Sequence, residues 1–482
     1  MTTRHLSVLS LLFAALFITG CAGDEMPQQP NGGGTKGNTA TATTTFTGET
    51  QVPATVGANT ASLTTRTAAT HNVVYTNTNA ADKVEIKSEQ TQSTPNNFDH
   101  LGESGDCGVA TATGSAGNYK FTLNHKSSYL CLLPRSTNSV LQGCSLTKIE
   151  VEGDKNIAGT FTLTENGLSS APTSDGANRI TLTCGSAGFP LTNTGTNIET
   201  NGSYMVIAPG TYNLTIRYWI KDTVTKVEGT ITKTLSSLTC EAGKIHDITA
   251  NLGVRDYSDR LYYMWDAEKP YWYGHEWDKA GYTAGMDQPT VNGNTGSAYP
   301  KNNSDPRWYN PAYDGYGIAN SGSHNPLFNP ISVSHVPNAN EISWYAMQGD
   351  PHWDADELWT TMGHLHKGGM WFKKHDKIDG FSSTVSADGS TDLRTNPSSK
   401  NYSNSLVSST PLSVSELPNY FFLPALGLYE NGKLYRINSA GHYWSSSARP
   451  YGDNSAYNMN FNSGGVIVSI ASRYASYAAV PF

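Results

Sequence analysis

The stretch SAYNMNFNSGGVIVSI, residues 455–470, decides the fold that we expect for the second half of this chain. Tyr457, Met459 and Phe461 alternate with asparagines, which is the period of two of a β-strand with one buried face. The Ser-Gly-Gly run that follows is typical of a tight turn, and alternating aliphatic residues continue beyond it. The stretch therefore predicts a β-hairpin that packs one face on a core and carries amide side chains on its other face.

The segments around this hairpin predict further strands and a helix. FFLPALGLY (421–429) is expected to form one strand, and Asn431 with Gly432 is a turn signal after it. KGGMWF (367–372) is also expected to be a strand, whereas residues 337–347 suit a helix with one apolar face. Together these segments predict that the C-terminal part of the chain is rich in β-strands.

A second short helix is expected from Asp354, because Glu357 lies three residues later and the pair would form a capping box. The same run is the densest polar cluster of the chain. Histidine and carboxylate groups are ligands of Zn²⁺ and Ca²⁺, so His352, Asp354 and Asp356 are candidate ligands of a structural metal. The alternative is that Asp354 only caps a helix and that its neighbours are solvated. No other cofactor is indicated.

The composition bounds the class of protein. A chain of 482 residues is too long for one ordinary core, so two or three domains are expected. Only 15% of the residues are charged, and the 26 tyrosines and 10 tryptophans favour a secreted, mainly β protein with long loops over a disordered chain. The net charge of −8 argues against a nucleic-acid partner, because phosphate binding requires a basic patch.

The N-terminal region is predicted to be a leader followed by a tether. Arg4 precedes an apolar run, and Cys21 follows Ile-Thr-Gly, which resembles a bacterial lipoprotein signal peptide over residues 1–20. Lipidation of Cys21 would anchor the mature chain to the outer membrane. An ordinary signal peptide with an incidental cysteine is the alternative. Residues 21–45 are rich in Gly, Thr and Pro and are expected to be flexible.

Residues 46–252 carry many short alternating segments and no convincing helical period. The clearest is 212–220, where apolar side chains at every second position face one way. Regularly spaced strands with turn signals between them predict a β-sandwich. The five cysteines after Cys21 all occur by residue 240, in a compartment that permits disulfides. Within SYLCLLP, however, Cys131 is expected to be a small buried apolar side chain.

Two phrases in this region, KIEVEGDKNIAGTFTL (148–163) and VIAPGTYNLTIRYW (206–219), resemble strands of fimbrillin-type pilins. The resemblance implies a fimbrillin- or transthyretin-like β-sandwich over 46–252 that joins other fimbrial subunits by strand complementation at a sheet edge. It also implies proteolytic processing after a basic residue, for which Arg66 is the candidate. A generic immunoglobulin-like spacer is the alternative.

The composition changes near residue 254, beyond which nine of the ten tryptophans lie. The phrases YFFLPALGLYENGKLY (420–435) and GHYWSSSARP (441–450) resemble the C-terminal domain of Bacteroidetes surface proteins that join a fimbrillin-like domain to a C-type lectin-like one. The resemblance implies a C-type lectin-like α+β domain with long loops over 256–482. One departure is Val480, which stands where that family commonly has an arginine and is expected to act by packing instead.

Sugar binding by aromatic side chains requires no metal, because a ring face stacks on a pyranose while nearby amides bind its hydroxyls. Trp444 with Asn458 and Asn460 is the candidate surface for such a ligand. The alternative is that Trp444 belongs to the core and that the asparagines form a solvated sheet face. The Glu-Pro-Asn and Trp-Asn-Asp phrases of calcium-dependent lectins are absent.

These features predict a cell-surface adhesin, a pilus tip or minor fimbrial subunit, that binds a host or bacterial glycan or protein through residues 256–482. A glycan-capturing surface lipoprotein without pilus assembly is the second hypothesis, and a hydrolase or modifying enzyme is the third. The chain has no GxSxG elbow, HExxH motif or phosphate loop. The oxidase chemistry of formylglycine-generating enzymes, which share the lectin-like fold, would lack a cysteine beyond Cys240. We therefore expect no enzyme activity.

Overall fold

The computed structural model describes most of the chain, namely residues 38–39, 41–47, 49–52, 70–76, 82–115, 118–310, 331–396, 398–450 and 454–482. The predicted lipidation site Cys21 and the predicted processing site Arg66 lie outside these residues and stay predictions. Among the described residues, no helix is both long enough and apolar enough to cross a bilayer.

The described chain is mainly β, as the sequence predicts. Up to residue 251 the strands are β1 (Asn38–Thr39), β2 (Thr41–Thr47), β3 (Glu49–Val52), β4 (Thr70–Tyr75), β5 (Lys83–Ile86), β6 (Glu89–Gln92), β7 (Gly108–Ser115), β8 (Asn118–His125), β9 (Ser128–Arg135), β10 (Ser145–Gly153), β11 (Ala158–Thr164), β12 (Gly167–Leu168), β13 (Ser174–Ala177), β14 (Arg179–Cys184), β15 (Phe189–Pro190), β16 (Ser203–Ile207), β17 (Gly210–Lys221), β18 (Glu228–Cys240) and β19 (Lys244–Asn251). One-turn helices interrupt them at α1 (Leu101–Ser104), α2 (Ser139–Gln142) and α3 (Ile198–Asn201).

Beyond residue 254 the strands are β20 (Arg255–Asp256), β21 (Tyr262–Met264), β22 (His352–Thr361), β23 (His364–Lys373), β24 (Tyr402–Asn404), β25 (Tyr420–Pro424), β26 (Leu428–Glu430), β27 (Lys433–Tyr435), β28 (Ala440–Ala448), β29 (Ser455–Asn462), β30 (Gly465–Ser472) and β31 (Ser476–Ala478). Helix α4 (Ala339–Gln348) also lies here, with single 3₁₀ turns at His375–Lys377 and Leu417–Asn419.

The chain divides into two compact units. Of the described residues, the first unit contains those within Gly37–Lys221 and Thr230–Gly253. The second unit contains Asp222–Gly229 and those within Val254–Phe482.

The described part of the first unit is built from four sheets. One has the strand order β1-β18-β17-β10-β14-β6, with β15 beside β10, and another has the order β16-β9-β19-β2. The other two are β12-β11-β13, with β5 beside β11, and β3-β8-β7-β4. In β17, the alternating residues Tyr212, Leu214, Ile216, Tyr218 and Ile220 are all buried, which confirms the face predicted from their spacing.

Two buried glutamines of β6 bind the backbone of β16, which belongs to a different sheet. The amide of Gln90 donates to the Val206 carbonyl at 2.8 Å and accepts from the Val206 N–H at 2.9 Å. Gln92 donates to the Gly202 carbonyl at 2.8 Å and accepts from the Tyr204 N–H at 2.7 Å. Each side-chain amide thus takes the place of a peptide group of a neighbouring strand. These N–H and C=O groups at the edge of β16 are therefore hydrogen-bonded although no strand of the described chain pairs with that edge.

The five cysteines of the described chain are all buried free thiols: Cys107, Cys131, Cys144, Cys184 and Cys240. Cys131 is the small buried side chain that the sequence predicts. Burial raises the pKa of Cys107, Cys184 and Cys240 to about 12, so these thiols remain protonated at neutral pH and are poor nucleophiles.

The described part of the second unit is built from two sheets, β20-β22-β23-β25 and β24-β30-β29-β28-β31-β26-β27, with β21 beside β31. The predicted hairpin is confirmed as β29 and β30, whose register pairs Asn462 with Gly465. Tyr457, Met459 and Phe461 are fully buried, as their alternation predicts. This hairpin places its apolar face in the core of the second unit.

The prediction of one strand over 421–429 is wrong. β25 and β26 belong to different sheets, and Gly427 between them has a φ of 67°. A Cβ atom at Gly427 would lie 2.1 Å from the carbonyl oxygen of Tyr435, so glycine is required for this close approach. The predicted turn is confirmed, since Asn431 and Gly432 both have positive φ, 49° and 77°, and connect β26 to β27.

The predicted helix over 337–347 is confirmed as α4, with its first residue two positions later. Its N-terminus carries a complete capping box. The Asn338 side chain accepts hydrogen bonds from the N–H groups of Asn340 and Glu341, and the Glu341 carboxylate accepts from the Asn338 N–H.

The short helix predicted from Asp354 is wrong, because this segment is part of β22. The carboxylate of Asp354 does accept from the N–H of Glu357 at 3.0 Å, which is the local bond expected of a helix cap. The chain nevertheless returns to the strand after an irregularity between Asp354 and Leu358, and its pairing with β23 continues to Thr361. Aspartate forms the same local bond in turns and bulges as in caps, so the pairing with β23 decides the outcome.

Buried aromatic side chains hold the long loops of the second unit in place through hydrogen bonds to backbone carbonyl groups. The hydroxyls of Tyr262, Tyr429 and Tyr443 donate to backbone carbonyl groups at 2.5–2.6 Å. Four buried tryptophans donate their indole N–H to backbone carbonyls at 2.8–2.9 Å: Trp265, Trp344, Trp359 and Trp444. Each ring fills the core while its polar atom satisfies a carbonyl group, which lets polar loops cover an apolar interior.

Candidate ligand-binding site

A cavity of about 250 Å³ lies in the second unit. This volume is near the lower end of the range for small-molecule sites, so the cavity suits a single ring-sized group. Its lining is aromatic, aliphatic or cationic and contains no acidic side chain: Arg255, Tyr257, Arg260, Lys374, Tyr420, Phe421, Phe422, Leu423, Pro424, Leu426, Tyr443, Val480, Pro481 and Phe482.

Strand β25 supplies the largest continuous part of this lining, since all of Tyr420–Pro424 contributes. β25 is at one end of its sheet and pairs with β23, which places Phe421 opposite Phe372 and Phe422 opposite Trp371. Phe421 also stacks on Phe482, with ring centroids 5.5 Å apart. The wall is therefore held by aromatic packing as well as by the sheet register.

Two tyrosines complete the aromatic wall. Tyr257 packs edge-on against Trp359 at 6.1 Å, and Tyr443 donates its hydroxyl to the Pro424 carbonyl at 2.6 Å. Burial raises the pKa of Tyr257 to about 12 and raises the pKa of Tyr443 well above its usual range. Both phenols are therefore neutral at physiological pH and add no negative charge to the lining.

Three cations lie around the rings. The guanidinium of Arg255 sits 4.8 Å from the centre of the Tyr257 ring, and in the described part of the chain it makes no ion pair. The Nε of Arg260 is 3.4 Å from a carboxylate oxygen of the largely exposed Asp259. Lys374 donates to the Pro418 carbonyl at 2.7 Å. The cavity thus combines apolar faces with positive charge that is weakly compensated.

Val480 is buried and packs in the core of the second unit, where it also lines the cavity. This agrees with the expectation that Val480 acts by packing in place of an arginine. The positive charge of the cavity comes instead from Arg255, Arg260 and Lys374.

The sugar-binding surface predicted at Trp444, Asn458 and Asn460 is not formed as proposed. Trp444 is 0% exposed, and its indole N–H donates to the Tyr263 carbonyl. Asn458 is also buried and donates to the Ser469 carbonyl, whereas the partly exposed Asn460 donates to Asn458. No ring face of Trp444 is open to a sugar, so the alternative reading of a core tryptophan holds.

The metal site predicted at His352, Asp354 and Asp356 is not assembled either. His352 bonds the Thr410 carbonyl through Nδ1, and Asp354 accepts from local backbone N–H groups. Asp356 is exposed and lies 3.8 Å from Lys367. Within the described ranges, no group of three His, Cys, Asp or Glu side chains is placed to hold a metal ion.

Sequence reasoning missed the residues that line the cavity, because they come from segments far apart in the chain. A partial signal was present in VRDYSDR (254–260), where Arg255 and Arg260 flank Tyr257 in a chain that is acidic overall. The contribution of Lys374 and β25 depends on sheet pairing, which no local pattern encodes.

No family model and no curated protein matches this chain. Among solved structures, it is similar to a candidate cell adhesion protein from Bacteroides ovatus, with 14% identity and a TM-score of 0.26. The match covers 38% of this chain and 62% of that chain. A TM-score this low does not assign a shared fold.

Proposed function

We propose that this protein is a cell-surface adhesin, a tip or minor subunit of a pilus, that binds a glycan or protein ligand through the cavity of its second unit. The observation that carries the proposal is the lining of that cavity. Six aromatic residues, among them the partly buried Phe421, Phe422 and Phe482, line a space of about 250 Å³ together with three cationic side chains. Concave sites that combine aromatic faces with a few polar groups are typical of small-ligand recognition.

The chemistry of the lining supports binding without turnover. It contains no histidine, cysteine, serine, aspartate or glutamate side chain. Its buried tyrosines Tyr257 and Tyr443 have raised pKa values and cannot act as bases at neutral pH. Lys374 is exposed and donates to the Pro418 carbonyl, and the lining holds no imidazole or carboxylate to act with it, so we propose a binding protein and not an enzyme.

Attachment to the outer membrane is proposed from the sequence. Lipidation of Cys21 would tether the chain to the bilayer. The tether predicted over 21–45 is wrong for residues 41–45, because these belong to β2, which pairs with β19. In the first unit, the resemblance to pilins makes other fimbrial subunits the proposed partners.

The test is to screen the full mature chain on an array of host and bacterial glycans and on cell surfaces. The variant Pro481→Trp places a large ring at an exposed residue of the cavity lining, and Leu406→Trp places it at a residue that is 84% exposed and does not line the cavity. We expect Pro481→Trp to lose binding and Leu406→Trp to keep it. Equal binding by both variants, or no adherence of the wild-type chain to any surface, would rule out this site.

A glycan-capturing lipoprotein without a pilus would use the same cavity. Affinity purification of the chain from its own cells separates the two assignments. Co-purified fimbrial subunits are expected for a tip or minor subunit, and their absence together with retained glycan binding would favour the second assignment.

A further inference from the structure

We infer that the cavity selects an anionic ligand, and that this ligand is the acidic sugar at the end of a glycan, with its carboxylate bound by Arg255, Arg260 and Lys374. The inference rests on the proposed function, since it names the ligand class of the same site. Nothing in the overall charge of −8 would suggest it.

The charge of the cavity lining is the first reason to expect an anionic ligand. Three of its side chains are cationic and none is acidic, although acidic residues outnumber basic ones in the whole chain by 40 to 32. A neutral ligand would leave these cations partly desolvated without a counter-ion, which is unfavourable. A carboxylate would compensate them and form charge-assisted hydrogen bonds, which are roughly twice as strong as neutral ones.

The position of Arg255 is the second reason, because it favours a carboxylate. Its guanidinium lies 4.8 Å from the ring of Tyr257, which orients the planar group before any ligand arrives. Stacking on an aromatic face leaves the N–H edge of a guanidinium available, and that edge matches the two oxygens of a carboxylate. Because Arg255 has no ion pair in the described part of the chain, a ligand would not need to displace one.

Arg260 and Lys374 retain donors for a second oxygen atom or for hydroxyl groups. Arg260 meets Asp259 through Nε at 3.4 Å, and the Asp259 side chain is 73% exposed, so this pair is weak. Lys374 uses one donor on the Pro418 carbonyl, and an ammonium group has three.

The rings favour a sugar over an acidic peptide. Six aromatic residues line the cavity, and an aromatic face stacks on the C–H face of a pyranose. The carboxylate of an aspartate or glutamate side chain would satisfy the cations but would leave most of the ring surface without a partner. The volume of about 250 Å³ admits one ring-sized unit, which points to the terminal residue of a chain.

The test compares sugars that differ only in whether the exocyclic carbon is a carboxylate or an alcohol. We would titrate the full mature chain by NMR with the methyl glycoside of galacturonic acid, its carboxylate free, against methyl galactoside, and with the methyl glycoside of glucuronic acid against methyl glucoside. We expect at least one acidic sugar to bind about tenfold more tightly than its neutral counterpart. Raising the NaCl concentration from about 0.05 M to about 0.5 M should weaken the acidic sugar severalfold and leave the neutral one unchanged.

The variants localise the effect. Arg255→Gln changes an exposed residue and should remove most of the preference for the acidic sugar, so that the ratio of the two affinities falls towards one. Lys433→Gln is the matched control, because Lys433 also lies 4.8 Å from a tyrosine ring, that of Tyr435, but does not line the cavity. Thermal unfolding followed by tryptophan fluorescence should be the same for both variants.

The outcomes separate this inference from the function on which it rests. Equal affinity for acidic and neutral sugars, or a stronger response to a glutamate-rich peptide than to any uronate, would overturn the acidic sugar while leaving a ligand-binding cavity. Binding of no sugar, with cell adherence still lost in Pro481→Trp, would also overturn it and would favour a protein ligand. Adherence that is unchanged in Pro481→Trp would overturn the proposed function itself.

Discussion

The two units cover a β core with different chemistry. In the first unit, buried faces come from regular alternation along strands, as in β17, and Gln90 and Gln92 bind the buried edge of β16. In the second unit, large aromatic residues fill the core, and their hydroxyl and indole groups satisfy loop carbonyls. In the second unit, this arrangement supports long loops and a ring-lined cavity, whereas the first unit is built from four sheets.

This difference changes the meaning of the tryptophan-rich composition beyond residue 254. Six of those nine tryptophans are buried: Trp265, Trp272, Trp344, Trp359, Trp371 and Trp444. They hold the loops and do not form a sugar-stacking surface. The candidate ligand site uses tyrosine and phenylalanine rings instead, together with cations.

The largest expected difference between the units is in their response to acid. Burial lowers the pKa of His442 to about 4, with Arg436 acting in the same direction. Burial also lowers the pKa of His366 to about 4, against the hydrogen bond that its Nδ1 donates to Asn438 Oδ1, which raises the pKa. Because these folded-state values lie below the unfolded value, the unfolded chain binds more protons between pH 6.5 and 4, and stability falls as the pH falls. The cost at pH 4 is about 3 kcal/mol for each ring.

We would measure this by urea unfolding at pH 7 and pH 4 followed by tryptophan fluorescence, which reports mainly on the second unit. His442→Leu should reduce the loss of stability by about 3 kcal/mol. In the first unit the shifts partly oppose each other: burial lowers the pKa of His100 and His246, whereas at His125 burial is outweighed by the hydrogen bond and the charge of Asp106 together, which raise the pKa. An acid response that is unchanged in His442→Leu would contradict the prediction.

The second expected effect concerns the glutamine contacts of the first unit. Gln92→Ala leaves the Tyr204 N–H without its partner and removes one of the two hydrogen bonds of the Gly202 carbonyl, which keeps the Asn96 N–H; this should lower the free energy of unfolding by about 2 kcal/mol. Thr91→Ala, on the exposed face of the same strand, should change it by no more than about 0.5 kcal/mol. Hydrogen exchange over β16 should accelerate only in Gln92→Ala, and equal exchange in both variants would show that the contact is dispensable.

A pair of hydroxyl deletions tests the comparison directly. Tyr443→Phe removes one of the two hydrogen bonds of the Pro424 carbonyl in the second unit, which keeps the Leu426 N–H, and should cost about 1 kcal/mol. Tyr218 in the first unit is also fully buried, but its hydroxyl has no partner among the described residues. Tyr218→Phe should therefore be neutral or stabilising. If denaturant unfolding gave the same loss for both variants, tyrosine hydroxyl groups would not distinguish the two units.

The smallest expected effect concerns helix caps. Asn338→Ala removes the capping box of the ten-residue helix α4 and should cost about 1 kcal/mol. Asn197→Ala removes a cap with similar bonds from the four-residue helix α3 and should cost about 0.5 kcal/mol. Thermal unfolding of the two variants checks the order, and a larger cost at Asn197 would reverse it.

Local patterns predicted individual elements well where one signal acted alone. The alternation at Tyr457, Met459 and Phe461, the turn at Asn431 and Gly432, and helix α4 all follow from spacing or turn chemistry. The prediction at Asp354 failed because the same side-chain bond serves a cap and a strand irregularity. The single strand over 421–429 failed because one glycine moves the chain between two sheets.

The sequence by itself determined the mainly β class, the faces of the longer strands and the turn positions, because these depend on neighbours within a few residues. Tertiary structure alone decided which aromatic rings are buried and which line the cavity, because Arg255, Lys374, β25 and Tyr443 meet only through sheet pairing and loop packing. Burial is a property of the whole fold. Trp444 packs in the core and Tyr257 lines the cavity because of contacts that their own segments do not encode.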